Sequence, residues 1–278
     1  MSYLTQIHEA VAYLQQQITE ILATETIDTG IILGTGLGGL AKEVIAEKII
    51  DYADIPNFPI STVEGHKGKL IIAKLNGKNV LVMQGRFHYY EGYTMRQVAM
   101  PIYVMKQLGL QQVFISNAAG ALNSSFQIGD LMLINDHISL FLPDNPLRGE
   151  NFEELGTRFP DMSEPYCKNM IAKALEIGKK HDINLHQGVY VAVSGAMLET
   201  KSEYRLLQNL GADTVGMSTI PEVIAANHCG LKVFAVSVVT DLCYEPYIKK
   251  VTLEDFVKAA KKAEPKLQKL FMQMLSIS

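Results

Sequence analysis

The 278-residue sequence predicts a single α/β domain built on a mixed sheet, and three observations carry that expectation. Short apolar runs of strand length alternate with longer segments of helical periodicity along the whole chain. Several of the runs are uninterrupted by polar residues, the pattern of strands buried on both faces. Hydrophobic side chains make up 48% of the residues, enough for one large core, and no linker, internal repeat or low-complexity tract divides the chain.

The first element is an amphipathic helix, because Leu4, Ile7, Val11, Leu14, Ile18 and Leu22 recur at helical spacing. Thr29-Gly-Ile-Ile-Leu-Gly34 then reads as a buried strand feeding a glycine-rich loop. Further strands are expected at 70–75, 80–84, 113–116, 131–134, 189–193, 214–216 and 233–240. Helices are expected between many of them, at 95–108, 165–181, 201–210 and 221–229, with a long last one from Leu253. Thr200 with Glu203, Thr219 with Glu222 and Thr252 with Asp255 have the spacing of helix-start signals, in which a hydroxyl and a carboxylate satisfy first-turn N–H groups. The stretch 141–160, with three prolines and two glycines, is the one long irregular loop, and such loops inside a domain usually serve function.

Composition narrows the function. Lys and Arg number 25 against 29 Asp and Glu, a net charge of −4, so no broad cationic surface exists for nucleic acid or acidic lipid, and any anion must be held by a local site. Cys167, Cys229 and Cys243 form an odd set without C-x-x-C spacing, and they read as reduced thiols in a cytoplasmic protein with no metal site. Residues 1–21 mix Gln, His and Glu among apolar positions, which suits neither a signal peptide nor a membrane span.

The chemistry concentrates at strand ends. Gly34-Thr-Gly-Leu-Gly-Gly39 satisfies G-x-G-x-x-G, with Asp51 at the spacing of a ribose-binding acid. The same glycines and the Thr35 hydroxyl equally suit a single phosphate, or a tight structural turn. Gln84-Gly-Arg-Phe-His-Tyr-Tyr-Glu-Gly92 gathers Arg86, His88, Tyr90 and Glu91 after a strand. Arg86 can fork onto an oxyanion and His88 can add a second hydrogen bond; a solvated loop with a surface ion pair is the plainer reading. Glu64-Gly-His-Lys-Gly68 places His66 before a strand. Ser116-Asn-Ala-Ala-Gly-Ala121 ends a strand in small residues, open to a ligand or to close strand packing. Glu199 precedes a helix start, Ser218 lies beside a helix N-terminus, and Asp241 ends the most hydrophobic strand. The dinucleotide reading, a dehydrogenase, and a binding module without catalysis are the competing classes.

These motifs, in this order, resemble the trimeric class of purine nucleoside phosphorylases, with 5′-methylthioadenosine phosphorylases as the nearest relatives. The matching segments are 34–40, 65–68, 84–93, 117–120, Asn145-Pro-Leu-Arg-Gly149 with Arg158-Phe-Pro160, and 211–230. The resemblance implies a partly barrel-like mixed sheet surrounded by helices and a phosphate-dependent pentosyl transfer with no cofactor, inorganic phosphate being a co-substrate. It implies that Thr35, His66, Arg86, His88, Ala118 and Ser218 bind phosphate, that Tyr90 and Met217 hold the ribose, and that Phe159 reaches a neighbouring subunit's ribose pocket in a homotrimer. Glu199 and Asp241 would meet the purine, and with His88 they are the expected catalytic residues. Asp241 and Leu253 depart from the mammalian-type pattern, which has Asn and His there, and Leu198 replaces an aromatic residue. Those departures open the alternative of a 5′-methylthioadenosine or adenosine phosphorylase. An oxocarbenium-like transition state, without a covalent enzyme intermediate, fits the residue set.

Overall fold

Nine strands form one mixed sheet in the computed structural model, which describes residues 1–23, 25–62 and 67–276. In chain order they are β1 (Thr29–Leu33), β2 (Ile45–Asp51), β3 (Lys69–Leu75), β4 (Lys78–Gln84), β5 (Gln112–Ala121), β6 (Leu131–Phe141), β7 (Leu185–Val193), β8 (Thr214–Gly216) and β9 (Lys232–Leu242). The spatial order is β2-β3-β4-β1-β5-β8-β7-β6-β9, and β9 pairs back onto β5. Five strands therefore close into a ring while β1, β4, β3 and β2 continue as an open wing. β1 runs parallel to β4 and β5, and β5 runs parallel to β9, so the C-terminal ends of all four point the same way.

The buried runs are strands for the reason the sequence suggests. All five residues of β1 are buried, as are nearly all of β9, and both sit inside the sheet between neighbours. β5 extends beyond the apolar run to Ala121, because Asn117-Ala-Ala-Gly-Ala keeps its pairing with β9 across a register shift at Gly120 and meets β8 antiparallel at the end. β2 carries no continuous apolar run to mark it in the sequence. It is the outer strand of the wing, antiparallel to β3, and only Ile50 on it is buried, so charged residues line it as expected for a protected edge.

Seven helices cover the sheet among the described residues: α1 (Tyr3–Leu22), α2 (Leu40–Glu43), α3 (Met95–Gln107), α4 (Lys168–His181), α5 (Lys201–Asn209), α6 (Ile220–His228) and α7 (Leu253–Ser276). α1 buries Ile7, Ala10, Leu14, Ile18 and Leu22, one stripe at three- and four-residue steps, and Ser2 caps it by accepting from the Thr5 N–H. Truncating Leu14, which is fully buried, to Ala would cost about 2–5 kcal/mol. Thr200 and Glu203 form the expected reciprocal cap, and Thr252 and Asp255 do the same for α7. α4 starts at Lys168, three residues after the expected Pro165. No helix among the described residues is long and apolar enough to cross a membrane.

Thr219 and Glu222 correct the third start signal. The Thr219 side chain makes no cap, its backbone sits at φ 69°, and Glu222 is buried rather than turned back onto the helix start. Both side chains are diverted to Arg86.

Candidate active site

A cavity of about 340 Å³ opens where β1, β4, β5, β8 and β9 end. At its first end stands Arg86, which follows Gly85 at the exit of β4; Gly85 takes φ 111°, a turn open to glycine. Arg86 is 1% exposed. Its Nε faces Glu222 Oε1 at 3.2 Å, and its Nη1 donates to Ser218 Oγ at 2.9 Å and Thr219 Oγ1 at 3.3 Å. Asn117 Nδ2 donates to the same Thr219 oxygen at 2.9 Å. Glu222 comes from α6, so one buried carboxylate fixes the guanidinium from behind while its Nη1 is offered to the hydroxyls of the 218–219 turn.

His88 is the second buried cation candidate. Its Nδ1 lies 2.9 Å from Glu91 Oε1, which also accepts the His88 backbone N–H at 2.8 Å, and Glu91 Oε2 accepts the Thr62 N–H and hydroxyl at 2.7 and 2.8 Å. Burial pushes the Glu91 carboxyl up, but these hydrogen bonds outweigh it and hold the group at about 2. Burial pulls His88 below the ordinary imidazole range, against the pull of Glu91, so at neutral pH the ring is neutral with its proton on Nδ1. Nε2 then accepts, and donates once the ring is protonated.

Tyr90 stacks on His88 with ring centroids 4.6 Å apart. Gly195 separates Tyr90 from Met217: a Cβ there would lie 3.1 Å from the Tyr90 ring and overlap the Met217 sulfur. These two side chains form the middle of the cavity, with Ala119, Val215, Leu198, Leu253 and Phe256 supplying apolar wall.

The far end is acidic. Asp241 Oδ1 accepts from Thr240 Oγ1 at 3.0 Å and Oδ2 from Cys243 Sγ at 3.1 Å. Burial raises Asp241; burial, and less strongly the charge of Asp241, raise Glu199. In the β5–β9 register Asp241 stands opposite Gly120, whereas the Arg86 cluster is anchored at Asn117. Three strand residues separate the two levels, about 10 Å. A buried cluster of hydrogen-bond donors and a pair of carboxyls thus face one cavity at two levels about 10 Å apart.

Of the residues expected from sequence, Thr35, Arg86, His88, Tyr90, Ala118, Glu199, Met217, Ser218 and Asp241 line this one cavity. His66 lies outside the described residues. Phe159 stands apart: it is 86% exposed on the irregular segment before α4 and borders a second groove with Asn145, Leu147 and Arg158. Asp51 is ion-paired to Lys69 on the edge strand β2, three strands from β1, so it cannot serve the glycine loop as a ribose acid and the dinucleotide reading fails. Sequence reasoning did not assign Asn117, Tyr204, Glu222, Cys243 and Phe256. Tyr204 and Cys243 carry no local motif, and Glu222 matched a capping pattern.

This fold and cavity belong to a recognised class. The family model described as the phosphorylase superfamily matches residues 28–276. A purine nucleoside phosphorylase 1 from Bacillus subtilis is 47% identical over 235 residues, 84% of each chain, and a purine nucleoside phosphorylase from Bos taurus is 47% identical over 254 residues, 89% of this chain and 88% of the relative. The crystal structure of isoform 2 of purine nucleoside phosphorylase from Schistosoma mansoni, in complex with cytosine and ribose-1-phosphate, superposes with a TM-score of 0.90 at 38% identity, covering 98% of this chain and 96% of that one. A Schistosoma mansoni purine nucleoside phosphorylase in complex with adenosine gives 0.87 at 40% identity, covering 97% and 95%. The chain belongs to the phosphorylase superfamily and, within it, to the purine nucleoside phosphorylases.

Proposed function

We propose that the chain catalyses reversible phosphorolysis of purine ribo- and 2′-deoxyribonucleosides, giving the free base and (2-deoxy)ribose 1-phosphate. The observation that carries this reading is the polarity of the cavity: Arg86, His88, Ser218 and Thr35 at one end, Asp241 and Glu199 about 10 Å away along β5. The names of the relatives and the ribose-1-phosphate held by a structural neighbour support the same assignment.

In this reading inorganic phosphate sits between Thr35, Arg86, His88, Ser218 and the Ala118 N–H, with ribose against Tyr90 and Met217. The C1′–N9 bond lengthens first, leaving an oxocarbenium-like sugar whose charge the adjacent phosphate stabilises. A phosphate oxygen then forms the C1′–O bond. The electron pair of C1′–N9 passes into the purine, N7 takes a proton from Asp241, and Asp241 is left as a carboxylate. Burial holds Asp241 protonated to higher pH than an ordinary aspartate, the property a general acid needs. Glu199 accepts the N1–H of a 6-oxopurine.

A second reading is a 6-amino enzyme, acting on adenosine or 5′-methylthioadenosine. It is favoured by Asp241 and by apolar Leu253 and Phe256 at the same cavity, and by the adenosine complex of a relative. Base release from inosine, adenosine and methylthioadenosine, each with and without phosphate, separates the two. Phosphate-dependent hypoxanthine release from inosine is expected; cleavage of the 6-amino substrates alone moves the assignment to the second reading, and cleavage of none overturns both. The exposed Phe159 fits a homotrimer in which it enters a neighbour's ribose pocket, and three cysteines that are all free thiols suit a cytoplasmic enzyme.

A further inference from the structure

Cys243 sits one residue beyond the end of β9, buried, in the wall of the cavity at its acidic end. Its sulfur is 3.1 Å from Asp241 Oδ2, and Thr240 occupies Oδ1 at 3.0 Å. A buried thiol beside a carboxyl stays protonated, so the contact is an S–H donor on a carboxyl oxygen. Gly120 of β5 makes the approach possible: a Cβ there would overlap the Cys243 sulfur and lie 3.2 Å from Asp241 Oδ2. The Tyr204 hydroxyl of α5 is hydrogen-bonded to Cys243 and to Glu199. The titratable groups facing Asp241 are therefore Cys243 on its own segment and, from α5 and the loop before it, Tyr204 and Glu199; Glu203 acts more weakly on Glu199.

We propose that Cys243 is a positioning residue for the general acid: its S–H bond to Oδ2 holds the carboxyl in place and strengthens as Asp241 gives its proton to N7 of the leaving purine. The balance is simple. Asp241 loses one proton to N7, the C1′–N9 pair goes into the purine, and the thiol keeps its proton throughout, donating to an oxygen that becomes fully charged only as the bond breaks. A donor whose bond strengthens with developing charge lowers the barrier without tightening ground-state binding. Its loss should therefore fall on kcat.

This inference rests on the proposed phosphorolysis, and the test keeps the two apart. Inosine and 7-methylinosine are compared in the native enzyme, Cys243→Ala and Cys243→Ser, with saturating phosphate. The N7-methylated base leaves with its N7 already alkylated and needs no proton there. Cys243→Ala should lower kcat on inosine roughly 10-fold with KM nearly unchanged, leave 7-methylinosine nearly untouched, and be restored by Cys243→Ser, whose hydroxyl can donate to the same oxygen. Equal losses on both substrates would show only a packing role and overturn the proposal, as would native-like kcat in Cys243→Ala or a Ser variant no better than Ala. A native enzyme that cleaves no nucleoside would instead overturn the proposed function.

Discussion

Arg86 and Glu222 meet at 3.2 Å with side-chain exposures of 1% and 4%, one from the exit of β4 and one from the first turn of α6. A guanidinium so deeply buried persists because a carboxylate neutralises it, and the second nitrogen of its fork then remains directed at Ser218 and Thr219. The ion pair thus joins two secondary-structure ends into one buried polar cluster at the cavity.

Removing Glu222 should expose that dependence. Glu222→Ala leaves the guanidinium buried without its counter-charge, a loss of about 3–5 kcal/mol. A lower Tm together with a raised KM for phosphate is the expected result. Glu222→Gln keeps the shape and should fall between the two. Native-like Tm and phosphate KM in Glu222→Ala would show that the pair neither stabilises the fold nor orients Arg86.

His88 and Glu91 predict the acid limb of stability. Glu91 titrates at about 2 in the folded protein against 4.5 for an ordinary glutamate. A depressed carboxyl contributes stability that is fully present above pH 4.5 and is lost as pH falls from there toward 2. Glu91→Gln should be less stable at neutral pH, and its Tm should decline less steeply across that window. Thermal melts of both proteins from pH 6 to pH 2 check it; parallel curves would remove Glu91 as the source. The same variant frees the His88 ring and should raise the phosphate KM.

Much of this was legible in the sequence, for physical reasons that also mark the limits. β1 and β9 announce themselves because a strand covered on both faces must be apolar throughout. Thr200 and Glu203 cap α5 as their spacing suggests because both stay near solvent and have no competing partner. Thr219 and Glu222 have the same spacing and do something else, since Arg86, far away in sequence, claims both. β2 escaped because an edge strand exposing charged side chains carries no apolar run. Closure of the ring depends on β9 pairing with both β5 and β6, a long-range register that no local pattern encodes. Arg86, His88, Ser218 and Asp241 were readable because each ends a recognisable strand or adjoins a helix start, whereas Cys243 and Tyr204 acquire meaning only by proximity to Asp241.

Asp241 should control a descending limb of the pH profile. Burial raises its pKa, and a general acid works in its protonated form, so kcat/KM should fall as pH rises through that raised value. Asn at this position cannot titrate: its amide donates a hydrogen bond to the base but transfers no proton. Asp241→Asn should lower kcat on inosine by about 10²-fold, the lower end of general acid contributions, and move that decline to higher pH. An unchanged pH profile would show that another group supplies the proton.

Phe159 offers the test of assembly. The Phe159 ring is 86% exposed, with the Arg158 guanidinium 5.7 Å from its centroid. An apolar ring left in water costs free energy that a neighbour's apolar pocket recovers, and the cavity presents such a wall at Leu198, Leu253 and Phe256. If the ring closes the ribose site of an adjacent subunit, Phe159→Ala should keep its Tm as a folded chain, since the ring is almost wholly exposed, while the KM for nucleoside rises about 10-fold or more. Sedimentation equilibrium of the native protein should give three times the chain mass. Mixing Phe159→Ala with Arg86→Ala chains carries the argument further: a mixed trimer can pair a subunit with intact Arg86 beside one with intact Phe159, so activity should rise above the sum of the separate variants. A monomeric native protein, or a mixture no more active than its parts, would place Phe159 outside the neighbouring site.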